Sequence, residues 1–234
     1  MLLPTQPFKL AGVRIPYEVF EELWGRYDKW YERNPVTAEN EVLAVKALGL
    51  KPRVLDVGVG TGYFARRVGM EYGIDPSVGM LRVARGRGIE VVAGFSEHPP
   101  FRPSSFNSVA LIVTLCFVDD PPLAIKSLAT LLTCGGVMAA CIVPRDSPWG
   151  SYYMGLETSP FYKVARFFTV REVEELMEGA GLEVSGCVST LRTYGPTDKP
   201  RYEHPVEECS GGFVCVKAVK RCCEGVGQRV PGSR

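Results

Sequence analysis

The segment Val54-Leu-Asp-Val-Gly-Val-Gly-Thr-Gly62, followed by Tyr63, constrains this chain more than any other. A short apolar run ends in an acid, glycines alternate at 58, 60 and 62, and a helical pattern begins. Glycines at a strand-to-helix turn reach backbone angles that other residues avoid, and they let a ligand approach without a Cβ in the way. The helix start then offers free amides to an anionic group such as a carboxylate. A dinucleotide fingerprint needs a third glycine at 63, where Tyr63 stands, and no Gly-Lys-Ser/Thr follows. Dinucleotide and phosphate-loop readings are both disfavoured.

The second element is Tyr72-Gly-Ile-Asp75, a strand closing on a carboxylate 17 residues after Gly58. In nucleoside-binding α/β folds an acid here can accept from both ribose hydroxyls. Taken alone, Asp75 reads equally well as the cap of a helix starting near Pro76. Coupled to the glycine loop, the ribose role is the better reading.

From Arg53 onward short apolar runs (VLDVG, EYGID, IEVVAG, SVALIVTL, VMAACIV) alternate with helix-length segments, which indicates βαβ units and a parallel sheet. Before them, Tyr17, Phe20, Trp24, Tyr27 and Tyr31 recur at steps of three or four, an amphipathic helix over 16–33 with an aromatic stripe. Asn34-Pro35 reads as an N-cap and first helical position, and Gly49 as the stop after Leu48. Thr169-Val-Arg-Glu172 is a capping box, with Phe168 placed to staple onto Val173. Strands follow at Glu183–Leu191 and Gly212–Ala218, separated by a charged, Pro-rich loop over 194–210. The chain divides into an extension (1–15), one domain (16–219) and a tail (220–234) read as disordered. Within the domain, 16–49 form a helical cap and 147–168 a cap insertion.

Several ordered motifs resemble one family, the class I S-adenosylmethionine (SAM) dependent methyltransferases, in the branch that includes quinone-biosynthesis enzymes. Val54–Gly62 resembles its first motif and Asp75-Pro-Ser-Val-Gly-Met80 its D-x-S-x-x-M segment. Gly94-Phe-Ser-Glu-His-Pro-Pro-Phe101 is similar to G-D-A-E-x-L-P-F, Ser105–Val109 to S-F-D-x-V, and Leu132–Gly136 to L-K-P-G-G. The resemblance implies a Rossmann-like three-layer α/β sandwich, its seven-stranded, mostly parallel sheet carrying an antiparallel C-terminal strand. It also implies SAM as methyl donor and S-adenosylhomocysteine (SAH) as product.

On this resemblance Asp56 and the Gly58, Gly60 and Gly62 backbone would surround the methionine part of the cofactor. Asp75, with Pro76 beside it, would hold the ribose, and Met80 would pack on adenine. Ser96 would offer its amide to an adenine nitrogen between Phe95 and Glu97. Thr114 and Leu115 would border the sulfonium, and Tyr27 would close over the site. Phe95 stands where the family usually has the Asp that accepts from the adenine amino group, so packing would hold adenine instead. Asn107 replaces another usual Asp. Cys116-Phe117 replaces a His-His pair that often lines the pocket, so a mechanism built on those histidines is not carried over.

No base stands out. Asp146, after the fifth strand, reads equally as base or turn residue. His98 reads first as a surface residue. Tyr31, Cys116, Phe117, Arg145 and Trp149 are the expected acceptor contacts, within walls supplied by the first helix and the 147–168 insertion. Such walls suit an apolar or aromatic small molecule. Cys116 reads either as packing or as a soft ligand for a metalloid acceptor.

Composition narrows the partners. Lys+Arg 27 against Asp+Glu 26 leaves a net charge of +1, which favours neither nucleic acid nor an anionic membrane. The arginines at 66, 67, 82, 85 and 87 read as a solvated helix face. The longest apolar run, Val109–Val118, is too short to span a bilayer, and MLLPTQPFKLAG has no signal-peptide core. A cytoplasmic monomer or homodimer is expected. The eight cysteines show no C-x-x-C and only two histidines could join them, so no metal site is expected. Cys134 and Cys141 read as small core residues, with a disulfide in the tail as the less favoured option. A catalytically inactive SAM-binding module, sensing the cofactor or working in a complex, is the competing functional reading.

Overall fold

The alternating apolar runs build one seven-stranded sheet in the order β3-β2-β1-β4-β5-β7-β6, seen in a computed structural model that describes residues 16–222. The strands are β1 Val54–Val57, β2 Tyr72–Asp75, β3 Glu90–Ala93, β4 Phe106–Ile112, β5 Leu132–Ile142, β6 Leu182–Thr190 and β7 Phe213–Lys220. The first five pair in parallel, whereas β7 runs antiparallel to both β5 and β6. The expected extension (1–15) and residues 223–234 of the expected tail lie outside the described residues.

Helices α1 Pro16–Arg33, α2 Pro35–Ala47, α3 Tyr63–Val68, α4 Val78–Gly86, α5 Pro121–Leu131, α6 Pro148–Met154 and α7 Val170–Gly179 complete the described fold. The two-residue strand period sorts the core into two layers. Val54, Ala110, Ile112, Ala139 and Phe213 face α1 to α4, meeting Tyr31, Ala38, Val42, Phe64 and Leu81. Their sequence neighbours Leu55, Val109, Leu111, Met138 and Val214 face α5 and α7, meeting Ile125, Leu128, Val173 and Met177. Helices on both faces of a mostly parallel sheet form the expected three-layer, Rossmann-like sandwich.

Local signals fold largely as their chemistry dictates. Thr169 and Glu172 close a reciprocal capping box on α7. Asn34 occupies the N-cap position of α2 without a side-chain cap there; its Nδ2 instead donates to the Trp30 carbonyl (2.9 Å) at the end of α1. β4 stops at Ile112, earlier than the apolar run suggested, because Val113 turns to φ 52° and Leu115–Phe117 close a 3-10 turn.

The cysteines correct the sequence expectation. Cys141 and Cys215 stand opposite each other in the β5–β7 register and are bonded, as are Cys187–Cys209 and Cys134–Cys222. Spacing could not reveal these pairs, since strand register and chain return create them. Cys141–Cys215 joins residues separated by 74 positions, and a cross-link over such a loop typically adds about 2–4 kcal/mol. Double replacement Cys141→Ala/Cys215→Ala is therefore expected to lower the thermal midpoint by about 10 °C for a domain of this size. Scanning calorimetry with and without reductant checks this; an unchanged midpoint would show that the bridge adds no stability.

Candidate active site

Between β1 and β4 the strand order changes direction, and open α/β sheets bind ligands outside the carboxyl ends at that point. A cleft with about 780 Å³ of empty space, its open mouth included, lies there, its floor formed by Gly58, Gly60, Asp75, Pro76 and Met80. Phe95, Ser96 and Glu97 form one side, Thr114 and Phe117 another. Tyr17, Phe20 and Tyr27 of α1 form the roof.

Asp75 is buried, and each carboxylate oxygen accepts one backbone N–H, from Gly60 (2.9 Å) and from Ser77 (2.8 Å). Burial, offset by those two bonds and reinforced by the Glu21 charge, pushes its pKa up to about 6. Asp56 is buried where the glycine loop begins, and its Oδ1 has no hydrogen-bond partner. Burial first, then the neighbouring Asp75 charge, holds its pKa well above the usual carboxylate range. A buried acceptor left bare costs about 1–3 kcal/mol, which a ligand donor would recover.

Two glycines of the loop serve the cleft and one does not. Gly58 (φ 67°) packs under Thr114, and the position of a Cβ on Gly60 is nearly open. Gly62 lines no part of the cleft; a Cβ there would press within 3.2 Å of Ala84 in α4. Its expected cofactor contact is replaced by helix packing. Leu115 is likewise corrected: its side chain is fully buried with Leu111 and Ile125 in the opposite core layer, because the chain turns over after Ile112. Glu97 is occupied with local structure, accepting from Ser96 Oγ and from the Asp119 and Asp120 amides.

Helix α1 is latched over the cleft at both ends. Glu21 Oε2 accepts from Ser77 Oγ (2.6 Å) and Gly79 N (3.0 Å). Asp28 accepts from Thr61 Oγ1 and pairs with Arg87, which also donates to the Thr61 carbonyl. The aromatic stripe thus faces inward at Tyr17, Phe20, Tyr27 and Tyr31. Trp24 is 44% exposed and leans on Gly79.

A second cavity, with about 1390 Å³ of empty space including its mouth, lies beyond the first and shares Tyr27, Val113 and Phe117 with it. Its walls include Trp30 and Tyr31 of α1, Glu41 of α2, Tyr153 of α6, and Phe161, Tyr162 and Phe167 of the following loop. Tyr31 Oη donates to Tyr27 Oη (3.0 Å), and Tyr153 stacks on Tyr162. Cys116 also lines it; burial pushes the thiol up to about 12, and Sγ donates to the Val113 carbonyl (3.4 Å). It rests as a neutral thiol at ordinary pH.

The remaining expected residues lie elsewhere. Arg145 is exposed and pairs with Glu172 (3.0 Å), its ion pair pointing along the surface toward α7. Trp149 is buried against Gly212 with Nε1 donating to the Tyr194 carbonyl (3.2 Å), and it borders a different groove together with Asp146. His98 is exposed and lines neither cavity. Neither proposed base therefore reaches the cleft. Tyr17 and Phe20 of the aromatic stripe and Phe161 of the insertion line the cavities. Trp30 and Glu41 also line them, and neither falls in the aromatic period of α1 or in a motif of the sequence.

A family model described as a methyltransferase domain matches residues 27–185. A SAM-dependent methyltransferase from Thermotoga maritima, described as a possible histamine N-methyltransferase, superposes with a TM-score of 0.84. It is 35% identical, with 88% of this chain and 100% of that one covered. This chain belongs to the SAM-dependent methyltransferases. An uncharacterised Methanocaldococcus jannaschii protein is 32% identical over 204 residues, 86% of this chain and 98% of that one. A demethylmenaquinone methyltransferase of Renibacterium salmoninarum is 33% identical over 121 residues, 47% and 51% of the two chains.

SAM is the cofactor of this methyltransferase, and the residues present fit it. The bare Asp56 oxygen suits a ligand N–H such as an amino group, the Gly60 cradle admits a ligand against the backbone, and Asp75 retains lone pairs for hydroxyl donors. Among the described residues no helix is long and apolar enough to cross a membrane.

Proposed function

We propose that this methyltransferase acts on a small molecule seated in the second cavity. The observation that carries this reading is the shared wall at Tyr27, Val113 and Phe117, where an aromatic-lined cavity meets the cofactor cleft. Asp56, Gly58, Gly60, Asp75, Pro76, Met80, Phe95 and Ser96 would hold the cofactor, with Thr114 at the boundary. Residues 16–49 and 147–168 would act together as the cap over the acceptor.

When bound, SAM supplies a methyl group on a good sulfonium leaving group. The chain's task is then alignment and exclusion of water, and well-oriented pairs gain on the order of 7–11 kcal/mol from proximity. The Tyr27–Tyr31 pair and the Phe20, Phe117 and Phe161 cluster, with ring centroids 4.7–5.2 Å apart about Phe20, would fix the acceptor's orientation. The Thermotoga relative is described as a possible histamine N-methyltransferase, and the Renibacterium relative is named for demethylmenaquinone. Both named molecules belong to the small-molecule class proposed.

SAH is expected to bind in the micromolar range by calorimetry. A metabolite screen is expected to find at least one acceptor that yields SAH and a methylated product. Binding without turnover of any small molecule would instead support a binding module; no SAH binding at millimolar concentration would remove both readings.

A further inference from the structure

The second cavity contains one group that methyl alignment does not use. Glu41, on α2, is 5% exposed and lines the cavity, yet it has no hydrogen-bond or ion-pair partner among the described residues. Its neighbours are committed elsewhere: Asn40 Nδ2 donates to Tyr194 Oη (3.1 Å) and to the Arg201 carbonyl (2.9 Å). Arg26 and Arg33 stand exposed on the cavity rim and make no ion pair with it. The other titratable groups sensing its charge are tyrosines: Tyr27 and Tyr31 of α1, Tyr63 of α3, Tyr153 of α6, then Tyr162 and Tyr194. Burial raises each of these phenols, so none of them is anionic at neutral pH. Glu41 is itself pushed up to about 8 by burial alone.

A buried acid with no donor bonded to it is costly to ionise unless a ligand supplies a partner. Aromatic rings line the cavity at Trp30, Tyr31, Tyr153 and Tyr162, with one face of Tyr31 covered by Tyr63 and Tyr153 and Tyr162 stacked on each other; a ring face left free attracts a cation and disfavours an anion. A neutral acceptor would bring no charge to hold Glu41 ionised, and an anionic one would face both the rings and the carboxyl. We propose that the acceptor carries a protonated amine and that Glu41 is its counter-ion inside this aromatic box. The inference rests on the second cavity being the acceptor site. Binding would drive Glu41 to its ionised form, its proton passing to solvent; an ammonium has no lone pair, so where the amine itself takes the methyl it would first return a proton to Glu41, leaving the neutral amine as nucleophile.

The test uses the full chain saturated with SAH and two sets of calorimetric probes. Benzylamine, 2-phenylethylamine and histamine are compared with benzyl alcohol and 2-phenylethanol. At least one amine is expected to bind tenfold or more tightly than the alcohols, with proton release seen as a dependence of the heat on buffer ionisation enthalpy. Glu41→Gln is expected to erase both the preference and the proton release while leaving SAH affinity unchanged; Glu41→Leu repeats the comparison should the amide impair folding. Equal binding of amines and alcohols, a preference that survives both variants, or no amine binding at millimolar concentration would overturn the proposal. An amine held through Glu41 but never methylated by the wild-type enzyme would overturn its role as acceptor, and with it the reading of this cavity. Methylation of neutral molecules unaffected by Glu41→Gln would overturn the amine while sparing the cavity.

Discussion

Gly58→Ala is expected to reduce SAH affinity at least about 100-fold and to lower stability by roughly 2–5 kcal/mol, the sum of a left-handed backbone and an overpacked contact. Both terms arise at one atom. Gly58 has φ 67°, and an added Cβ would lie 3.0 Å from Thr114 Cβ and closer still to its Cγ2 and Oγ1. Relief requires the loop or the Val113–Thr114 turn to move, and Gly58 N and Val59 N both donate to the Ile74 carbonyl (2.8 and 3.1 Å), next to Asp75. A shift there therefore reaches the cofactor's expected contacts. Gly69→Ala separates the two terms, because Gly69 has φ 87° with open space where a Cβ would stand. That control is expected to lose about 1 kcal/mol and to keep normal SAH binding. Thr114→Ala added to Gly58→Ala is expected to restore part of the stability. Near wild-type SAH binding by Gly58→Ala would show that the turn does not support the cofactor site.

The second large effect is expected at Asp75. Hydrogen bonds to a charged group are worth about 1.5–3 kcal/mol, so Asp75→Ala is expected to weaken SAH by about 100-fold. The pH dependence carries a distinct signature. Hydroxyl donors favour the ionised carboxylate, so affinity is expected to be full above pH 6 and to fall by up to about tenfold per pH unit below it. Asp75→Asn should lose affinity and also flatten that profile. The stability of the ligand-free protein runs the other way. Between pH 3.8 and about 6 the folded carboxyl retains a proton that the unfolded chain releases, so this group's contribution falls as pH rises through that window. Calorimetry from pH 5 to 8 distinguishes the cases; a pH-independent SAH affinity in the wild type would argue against a ribose role for Asp75.

Much of the cofactor cleft was legible because its parts are local. The glycine turn, the acid at the end of β2 and the Phe95–Glu97 loop each follow their own strand, and parallel strands deliver their carboxyl ends to one edge. The misplacements share a cause. Arg145, Asp146 and Trp149 follow β5 at that same edge, but α6 turns Trp149 toward Gly212 and Tyr194, on the far side of the cap. Leu115 fell on the wrong side of the sheet because an apolar run does not reveal where Val113 breaks the two-residue alternation. Cys141 and Cys215 met through an antiparallel register set 74 residues apart.

By itself the sequence determined the layered α/β class and a nucleoside-type site, because short-range patterns encode the strand ends, the glycine turn and the acid that follows; the type of cofactor came from the family that the ordered motifs resemble. The tertiary structure alone decided the second cavity, the one proposed for the acceptor. Its walls come from α1, α2, α6 and the loop through Phe167, segments more than a hundred residues apart in the chain. A single acid within a helix carries no mark of which way it points. Only the packing of α2 against its neighbours placed Glu41 on the wall of that cavity, where burial raises its pKa.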